Sequence, residues 1–390
     1  GKSKMRVLFL APHPFYQDRG TPIAVNLMLQ TLSERGEEVD VLTYHEGETV
    51  SYENVSVRRI TNLFFVRNVR PGFSWKKITC DFFMFLSMLF MLSKKRYDVV
   101  HAVEESAFMA IFVKLVFRTP YLYDMDSSMA QQIVEKSPRL KPISGLLDWL
   151  EGMAVKQSLA VVPVCEALAD IAQAHDQNKK VLILHDVPLS KQNGKKTDLR
   201  DKLGVSGLNL MYVGNLEPYQ GIDLMLESFQ IALAKRNSTD LIIVGGMHSD
   251  VEKYRNRCKE FGIAEKVHFL GQQPIDDLDG YLEQADILIS PRVKGKNTPM
   301  KIYSYLQSGK AVLATNIYSH TQVLNSGVAA IAEPTPKAFS DSLLDLLENE
   351  TLRLRIGAAG KRLVEEQYSL KSFKKKVNNL YDWLQQHITH

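Results

Sequence analysis

The stretch SPRVKGKNTPMKIYSYLQSGKAVLAT, residues 290–315, begins at the end of one apolar run and ends in another. Between these two candidate strands lie a basic loop and a candidate helix that would start at Asn297, Thr298 and Pro299 and end at Gly309. Asn297 or Thr298 would cap the helix, and Pro299 suits its first position. A strand, a loop and a helix N-terminus in this order present backbone N–H groups and a positive dipole to an anion. The stretch therefore predicts an α/β sheet with an anion site at a strand end.

The composition is that of an ordinary globular protein. The chain has 390 residues, of which 45% are hydrophobic and 24% charged, which is enough for two domains with full cores. The net charge of +4 is too small to indicate a nucleic-acid partner, and no RNA-binding aromatic signature or finger spacing is present. The three cysteines, Cys80, Cys165 and Cys258, lie too far apart for a disulfide framework or a zinc site, which favours a reducing cytoplasm.

Short apolar runs that are typical of buried strands alternate with helical segments. They lie at 6–10, 39–43, 55–60, 97–103, 120–126, 159–164 and 181–184, and again at 208–214, 240–244, 267–270, 287–290, 312–315 and 329–332. This alternation predicts two tandem doubly wound parallel sheets, which would face each other across a cleft. We expect domains at 1–186 and 208–368, a polar linker at 187–207, and an amphipathic helix at 369–390 that packs back on the first domain.

The most apolar segment is ITCDFFMFLSMLFML, residues 78–92, and lysines and an arginine lie on both sides of it. It is shorter than the roughly 20 apolar residues that a membrane span needs. It is either a helix packed on a sheet or a helix whose outer face dips into an anionic membrane surface through residues 76–96, with the flanking cations on head groups. The segment 112–118 would extend such a surface.

Polar side chains near strand ends of the first set are the catalytic candidates. Asp124 and Asp126 would share a face if their strand continued. They could hold a divalent metal, orient a hydroxyl or act as a base, or they could cap the next helix. His101 is either catalytic or a buried, hydrogen-bonded histidine. Glu104 and Glu105 would bind sugar hydroxyls or belong to the solvated surface.

Two glycine-bearing loops and the basic loop are the candidates for an anion site. Gly20 precedes a helix, but it lacks the GxGxxG dinucleotide fingerprint, and a plain tight turn is the alternative. The loop 214–221 also joins a strand to a helix, yet it carries no cation. The positive charge would therefore come from the basic loop and the following helix, unless these cations are simply solvated. They are Arg292, Lys294, Lys296 and Lys301.

Several segments together resemble the GT-B glycosyltransferases of family 4, a large retaining group, and the resemblance covers nearly the whole chain. VPVCEALAD at 162–170 is similar to the family's VSEALA element, and VGNLEPYQGIDLMLESF at 213–229 to VGRLxxxKGxDLLLxAF. VHFLGQQPIDDLDGYLEQADILISPR at 267–292 resembles VxFLGxVxxEDLxxLYxxADVxVxPS. The segment 298–315 resembles the family's donor-binding segment, which ends in AGxPVVAT.

The resemblance implies two Rossmann-like domains and transfer of a sugar, with retention, from a nucleoside-diphosphate sugar to an acceptor hydroxyl. The nucleobase of the donor would lie near Gly271 to Gln273, and the diphosphate between Gly20, Gly214 and the helix start at Asn297. The catalytic candidates would be Asp124, Asp126 and His101, and one of the two aspartates would orient the acceptor. The donor-binding candidates are Gly20, Thr21, Gly214, Asn215, Gln220, Gly271, Gln272, Arg292, Lys294, Asn297, Thr298, Lys301 and Ser304.

The donor site departs from the family's pattern. The family's diphosphate-binding arginine and lysine fall on Asn215 and Gln220, and its paired glutamates fall on Lys296 and Ser304. Ser304 could still make one hydrogen bond to the donor ribose. Either the cations of the basic loop replace the lost pair, or the chain has lost its activity.

We therefore expect a hexosyltransferase-type enzyme that needs no cofactor and no divalent metal. The acceptor would be a lipid or glycan precursor, and the enzyme would lie in the cytoplasm or on the inner face of a membrane. The alternatives are a nucleotide-sugar epimerase or hydrolase of the same fold, and a non-catalytic binding protein.

Overall fold

The computed structural model describes residues 4–189 and 197–388. The chain folds as two compact units. Unit 1 comprises Gly1–His185 and Phe373–His390, and unit 2 comprises Asp186–Ser372. The predicted linker at 187–207 lies in unit 2; its residues 190–196 are outside the described part of the chain, and a five-residue helix occupies Leu199–Leu203.

The helices and strands follow each other in alternation through both units. The strands are β1 (Arg6–Ala11), β2 (Glu38–Thr43), β3 (Val55–Arg59), β4 (Val99–Val103), β5 (Tyr121–Met125), β6 (Ala160–Pro163), β7 (Asn209–Val213), β8 (Asp240–Val244), β9 (Val267–Gly271), β10 (Ile287–Ser290), β11 (Ala311–Thr315) and β12 (Ala330–Ala332). The helices are α1 (Gly20–Arg35), α2 (Trp75–Lys94), α3 (Ser106–Phe117), α4 (Met129–Lys136), α5 (Ser144–Gln157), α6 (Glu166–His175), α7 (Leu199–Leu203), α8 (Ile222–Lys235), α9 (His248–Glu260), α10 (Leu278–Glu283), α11 (Met300–Gln307), α12 (Tyr318–Thr321), α13 (Pro336–Glu348), α14 (Glu350–Leu363) and α15 (Leu370–His387).

Each unit contains a six-stranded parallel sheet with the same strand order. In unit 1 the order is β3-β2-β1-β4-β5-β6, and in unit 2 it is β12-β11-β10-β7-β8-β9. The strand order reverses between β1 and β4 in unit 1 and between β7 and β10 in unit 2. Ligands of doubly wound sheets bind at the carboxyl ends of the strands beside this reversal. The predicted α/β class with two doubly wound sheets is therefore confirmed.

The helices of unit 1 cover both faces of its sheet. Right-handed crossovers place α1 on one face and α2, α3 and α5 on the other, because the chain changes direction across the sheet after β3. Side chains of α2, α3 and α5 form one core with inward residues of β1, β4 and β5. On the opposite face, α15 packs beside α1, where Arg35 contacts Asp382 and Asn378.

Two predicted elements differ from the structure. The helix in the stretch 290–315 begins at Met300, because Pro299 has an extended ψ of 134°, and no side chain caps it. The prediction that Asn297 or Thr298 caps this helix is therefore wrong. The predicted strand 181–184 is reduced to a single parallel bridge between Val181 and Val161.

Candidate functional site

The reversal point of the unit 2 sheet carries the strongest candidate site. Gly214 directly follows β7, and Arg292 lies two residues after β10. Lys301, in the first turn of α11, comes close to both. Gly214 has a φ of +146°, which favours glycine, and a Cβ placed there would lie 2.5 Å from Nζ of Lys301, so the lysine tip would have to shift. The structure therefore brings together three residues that the sequence analysis had assigned to an anion site.

Helix α11 is held at this point by Tyr305, one turn after Lys301. The Tyr305 hydroxyl donates to the backbone oxygen of Ile289 at 2.9 Å and accepts from the backbone N–H of Val213 at 2.9 Å. It therefore bridges β7 and β10 where the strand order reverses. Because residues i and i+4 share a helix face, the same anchor directs Lys301 toward the carboxyl ends of these strands.

Within the described residues, the buried Nζ of Lys301 has no hydrogen-bond partner. Its Nζ lies 4.1 Å from the centroid of the Tyr212 ring, which gives a cation–π contact. Burial lowers the pKa of Lys301 well below its ordinary value, and the nearby Arg292 lowers it further. A buried amine that lacks any acceptor is rare in a native protein and calls for an explanation, such as a missing ligand.

Arg292 adds a second cation to the same place. Its guanidinium lies 5.1 Å from the centroid of the Tyr219 ring, and Nη1 donates to the backbone oxygen of Asn297 at 3.1 Å. Its Nε is buried and has no hydrogen-bond partner in the part of the chain that the structure describes. Burial lowers the pKa of Arg292, although the group remains charged near neutral pH. The two cations together could accept an anion that carries two or more negative charges.

His320 forms hydrogen bonds beside the loop that carries Arg292. The sequence analysis did not identify this histidine. The ring is fully buried; Nε2 lies 2.7 Å from Oγ of Ser290, and Nδ1 lies 2.9 Å from the backbone oxygen of Thr315. Burial lowers its pKa to about 4, and Arg292 and Lys301 act in the same direction. The imidazole is therefore neutral at pH 7, with Nδ1–H donating to Thr315 and Nε2 accepting from Ser290. No local pattern predicts a contact between residues 30 positions apart.

The remaining donor-site candidates of the basic loop are placed differently. Lys294 and Lys296 are exposed, whereas Thr298 is buried with its Oγ1 unpartnered. The hydroxyl of Ser304 is buried and accepts from the backbone N–H of Leu189 at 3.1 Å. That hydroxyl is therefore already engaged inside unit 2.

The candidates on β7 and β9 occupy loops at the same sheet edge. Asn215 donates to the Tyr219 hydroxyl at 3.3 Å, and Gln220 is buried. Gly271 ends β9 with a φ of +67°, and Gln272 is exposed. These four residues lie at the same sheet edge, and none of them carries a charge.

In unit 1, two of the catalytic candidates are hydrogen-bonded to each other. Nε2 of His101 lies 2.8 Å from a carboxylate oxygen of Asp124, and Nδ1 lies 2.9 Å from the hydroxyl of Tyr381 on α15. The His101 side chain is 0% exposed, and its ring stacks on Phe9 at 4.3 Å between centroids. Both ring nitrogens are thus engaged between the sheet and α15, and this geometry fits the alternative of a buried, hydrogen-bonded histidine. A catalytic role for His101 and Asp124 stays a prediction.

β5 ends at Met125, so Asp126 lies beyond the strand and the condition for a face shared with Asp124 is not met. The cap of α4 is Ser128, whose hydroxyl accepts from the backbone N–H of Gln131 at 3.5 Å, so the alternative that an aspartate caps this helix is wrong.

Glu104 organises the turn that holds Asp126. Its carboxylate accepts from the backbone N–H groups of Asp126 and Ser127 at 2.5 and 2.8 Å, and from the Ser127 hydroxyl at 2.5 Å. Burial raises the pKa of Glu104 to about 7, although the Ser127 hydrogen bond opposes the shift. Neither predicted role of Glu104, sugar binding or solvated surface, describes these contacts.

The reversal point of unit 1 contains a partly buried ion pair. The ammonium of Lys77 contacts the carboxylate of Glu105 and donates to the backbone oxygen of Pro12 at 2.8 Å. Asp81 lies beside this pair and accepts from the Tyr44 hydroxyl. Burial opposes the charge on Lys77, but Glu105 and Asp81 outweigh it, so its pKa lies above its ordinary value.

Two lysines that flank the apolar segment form ion pairs within unit 1. Lys77 is bound to Glu105, and Lys95 pairs with Asp40 at 3.3 Å. Lys77 is thus engaged within unit 1, whereas Lys95 keeps 37% of its side chain exposed, and a contact of the flanking cations with lipid head groups stays a prediction.

Gly20 and Thr21 begin α1 at the carboxyl end of β1. Gly20 has a φ of +53°, and a Cβ there would meet no atom within 4 Å. The left-handed backbone conformation therefore explains why position 20 is a glycine, which fits the alternative of a tight turn. Whether the two residues contact a donor stays a prediction.

One further cluster could in principle hold a metal ion. Asp148, Glu151 and His175 place one ligand atom each within 4.8 Å of one another. Glu151 also accepts from the Ser128 hydroxyl at 2.9 Å. Because such groups are common without an ion, we assign no metal to this cluster.

Two family models match consecutive parts of the chain. The model described as "Glycosyl transferase 4-like domain" matches residues 19–185, and the one described as "Glycosyl transferases group 1" matches residues 196–363. Together they span most of the sequence. The chain belongs to glycosyltransferase family 4. This glycosyltransferase is 24% identical over 384 residues to an uncharacterized glycosyltransferase of Methanocaldococcus jannaschii, which covers 93% of this chain and 94% of that protein.

Further relatives of this glycosyltransferase extend the comparison. A phosphatidyl-myo-inositol mannosyltransferase of Mycobacterium leprae is 26% identical over 181 residues, which are 45% of this chain and 46% of that protein. The crystal structure of Anabaena HepE in complex with UDP superposes with a TM-score of 0.75 at 13% identity, over 97% of this chain and 100% of that one. The fold of this glycosyltransferase is thus the GT-B fold.

Proposed function

We propose that this glycosyltransferase uses a nucleoside-diphosphate sugar and that Lys301 and Arg292 bind the diphosphate of this donor. The observation that carries the proposal is the buried, unpartnered ammonium of Lys301 beside Arg292 at the reversal point of the unit 2 sheet. An anion there would raise the pKa of Lys301 and accept a hydrogen bond from its ammonium group. Structures of HepE with UDP and with UDP-glucose support a donor of this class.

The same two cations would assist the chemical step. Negative charge develops on the leaving diphosphate as the sugar–phosphate bond breaks, and fixed cations in a buried site stabilise it strongly. Lys301 supplies a compact charge and Arg292 a planar pair of donors. We propose transfer with retention of the anomeric configuration, in which the departing phosphate oxygen accepts the proton of the acceptor hydroxyl.

The altered positions of the donor site fit this arrangement. Asn215 and Gln220 carry no charge to offer a diphosphate, whereas Lys301 and Arg292 do. The Ser304 hydroxyl already accepts a hydrogen bond from the backbone N–H of Leu189. We therefore propose that another group at the edge of the unit 2 sheet binds the donor ribose. The diphosphate site is therefore built from cations that follow β10 rather than from the loop after β7.

We further propose that the sugar is a hexose, that the acceptor hydroxyl belongs to a lipid-linked precursor and that the enzyme works at the cytoplasmic face of a membrane. The mycobacterial relative is named for a phosphatidyl-myo-inositol acceptor, which supports this class. In unit 1, Asp126 is the carboxylate that we propose orients the acceptor. Asp126→Ala should then raise the KM for the acceptor more than the KM for the donor, and equal effects on both would refute that role.

A transfer assay tests the proposal. Labelled UDP-, GDP- and ADP-hexoses are incubated with membrane lipid extract, and Lys301→Ala should lower kcat/KM by about 100-fold or more. Lys296→Ala is the matched control, since Lys296 is an exposed lysine of the same loop, and it should stay within about threefold of the parent. Undiminished transfer by Lys301→Ala would contradict the diphosphate assignment.

Two further readouts of this assay test the reaction type. The product anomer, read by NMR, should match that of the donor, and inversion would contradict retention. Free sugar or an epimer formed from the donor alone, with no acceptor product, would instead indicate a hydrolase or an epimerase.

A further inference from the structure

One face of unit 1 exposes large apolar side chains in a continuous row. On α2 they recur every three or four residues, which places them on a single stripe of the helix. They are Trp75, Ile78, Phe82, Leu86 and Phe90. Trp75 is 61% exposed and Phe90 60%, although residues on the opposite side of the helix, such as Met84 and Met88, are fully buried. The outer stripe of α2 therefore has no partner within the described residues.

The row continues over the neighbouring helices of the same sheet face. The rings of Phe85 on α2 and Phe112 on α3 lie 5.3 Å apart, and Lys114 on α3 donates to the backbone oxygen of Gln157 on α5 at 2.8 Å. Outward side chains on these two helices and on the loop before α2 are also exposed. They are Phe64, Phe65, Phe73, Phe112, Leu115, Val116, Phe117, Leu146 and Trp149. We call these residues, with the α2 stripe, the apolar face.

An exposed patch of this extent marks an interaction surface. Monomeric proteins in water rarely leave contiguous apolar patches larger than a few hundred Å² uncovered. The outer stripe of α2 alone runs along a helix of 20 residues, about 30 Å in length at 1.5 Å per residue. The large residues on it are aromatic or branched aliphatic, the types that partition into the membrane interface.

Cations outnumber acidic residues around the apolar face, although Asp98, Glu135 and Asp148 are also exposed on unit 1. Within residues 64–96 the only acidic residue is Asp81, which lies against Lys77 inside the unit. The exposed cations are Arg67, Arg70, Lys94, Arg96, Arg118, Lys136, Arg139 and Lys141. Lys94 also lies 5.5 Å from the Phe90 ring centroid, so cation and apolar stripe meet directly. Apolar side chains bordered by cations match a surface that is apolar inside and anionic at its boundary.

We propose that the apolar face docks unit 1 onto an anionic lipid surface, with α2 lying in the plane of the interface. In the described residues no helix is both long enough and apolar enough to cross a bilayer, so contact is confined to the interface. A second copy of the chain fits the face less well, because its own cations would oppose these cations. The inference rests on the proposed lipid-linked acceptor, which gives the enzyme a reason to dock. The apolar face lies on unit 1 and Lys301 on unit 2, so the two proposals are tested separately.

Vesicle flotation tests the apolar part of the proposal. The parent chain should float with phosphatidylglycerol-containing vesicles and much less with pure phosphatidylcholine, and raised salt should weaken binding. Phe82→Ser/Phe90→Ser should lower the partition coefficient by at least about tenfold. The matched control is Leu354→Ser, because Leu354 is 65% exposed on unit 2, and it should float like the parent. Equal flotation of both variants would overturn the proposal.

A charge-reversal pair tests the cationic border. Arg67→Glu/Lys94→Glu should lower flotation on anionic vesicles, whereas Lys337→Glu on unit 2, where Lys337 is 89% exposed, should leave it unchanged. Thermal unfolding of every variant should match that of the parent, which shows that the fold is intact. A parent chain that stays wholly unbound, or that forms dimers which Phe82→Ser/Phe90→Ser dissociates, would also overturn the proposal. Lys301→Ala should float normally, so failure of the donor assignment is distinguishable.

Discussion

The two sheets have the same strand order, and each holds a buried lysine at its reversal point, but the two lysines have opposite surroundings. Lys77 in unit 1 pairs with Glu105, and its pKa lies above its ordinary value. Among the described residues of unit 2, Lys301 has no hydrogen-bond partner, and its pKa lies well below its ordinary value. The fold is therefore the same, whereas the balance of charge at the equivalent point differs.

This difference separates a structural cation from a binding cation. A buried charge whose partner belongs to the same unit holds that unit together, and loss of one partner is costly. A buried charge without a partner destabilises the free protein and is available to a ligand. The comparison makes four predictions, given from the largest expected effect to the smallest.

Removal of the paired lysine should have the largest effect on stability. Lys77→Met leaves Glu105 buried without its counter-ion, and the free energy of unfolding should fall by about 3–5 kcal/mol. Urea unfolding followed by circular dichroism measures this loss. In the double variant Lys77→Met/Glu105→Gln part of the loss should be recovered, because Glu105 is then no longer left without its counter-ion, although Asp81 beside it keeps none. A Lys77→Met variant as stable as the parent would remove the contrast between the two lysines.

Removal of the unpartnered lysine should have the opposite sign. Lys301→Met replaces a buried ammonium without an acceptor by an apolar side chain of similar length, so the free energy of unfolding should rise by about 1–3 kcal/mol. The same urea titration, in the absence of nucleotide, measures it. Clear destabilisation would mean that Lys301 has a structural partner in solution.

The pH dependence of donor binding should reveal the lowered pKa of Lys301. A bound diphosphate raises this pKa, so between the pKa of the free protein and that of the complex the complex holds more protons. Affinity for the nucleotide sugar should therefore fall as pH rises through that window, by up to about tenfold per pH unit. Calorimetric titrations from about pH 6 to about pH 9 measure the slope. Lys301→Met should show no such slope, and a flat profile in the parent would contradict a lowered pKa of Lys301 in the free protein.

The hydrogen bond between His101 and Tyr381 in unit 1 should contribute least to the free energy of unfolding. Tyr381→Phe removes one hydrogen bond to His101 and should lower the free energy of unfolding by about 1 kcal/mol. If His101 is structural, kcat of this variant stays at the parent value. A fall in kcat at unchanged stability would instead support the predicted catalytic role of His101.

The sequence predicted what depends on local pattern. Apolar runs separated by helical segments gave both parallel sheets, and the strand-to-helix loops placed Gly214, Arg292 and Lys301 at one sheet edge. Such patterns do not specify which distant side chains meet. The pairing of Lys77 with Glu105 and the contact of His320 with Ser290 join residues about 30 positions apart, and both depend on the order of strands across the sheet.

The start of α11 shows a second limit of sequence reasoning. Asn297 and Thr298 are good capping residues, and Pro299 is common at the first position of a helix. The chain instead keeps Pro299 extended and begins α11 at Met300. Local capping preference was overridden here by the loop that brings Arg292 to the Asn297 carbonyl oxygen.

Direct measurement of nucleotide binding tests the central claim. UDP, GDP and ADP, and the matching nucleosides, are titrated calorimetrically into the parent, Lys301→Met and Lys296→Met. We expect one diphosphate to bind the parent much more tightly than its nucleoside, Lys301→Met to lose most of that difference, and Lys296→Met to retain it. If Lys301→Met binds that diphosphate as tightly as the parent does, Lys301 does not hold the donor diphosphate and the account is wrong.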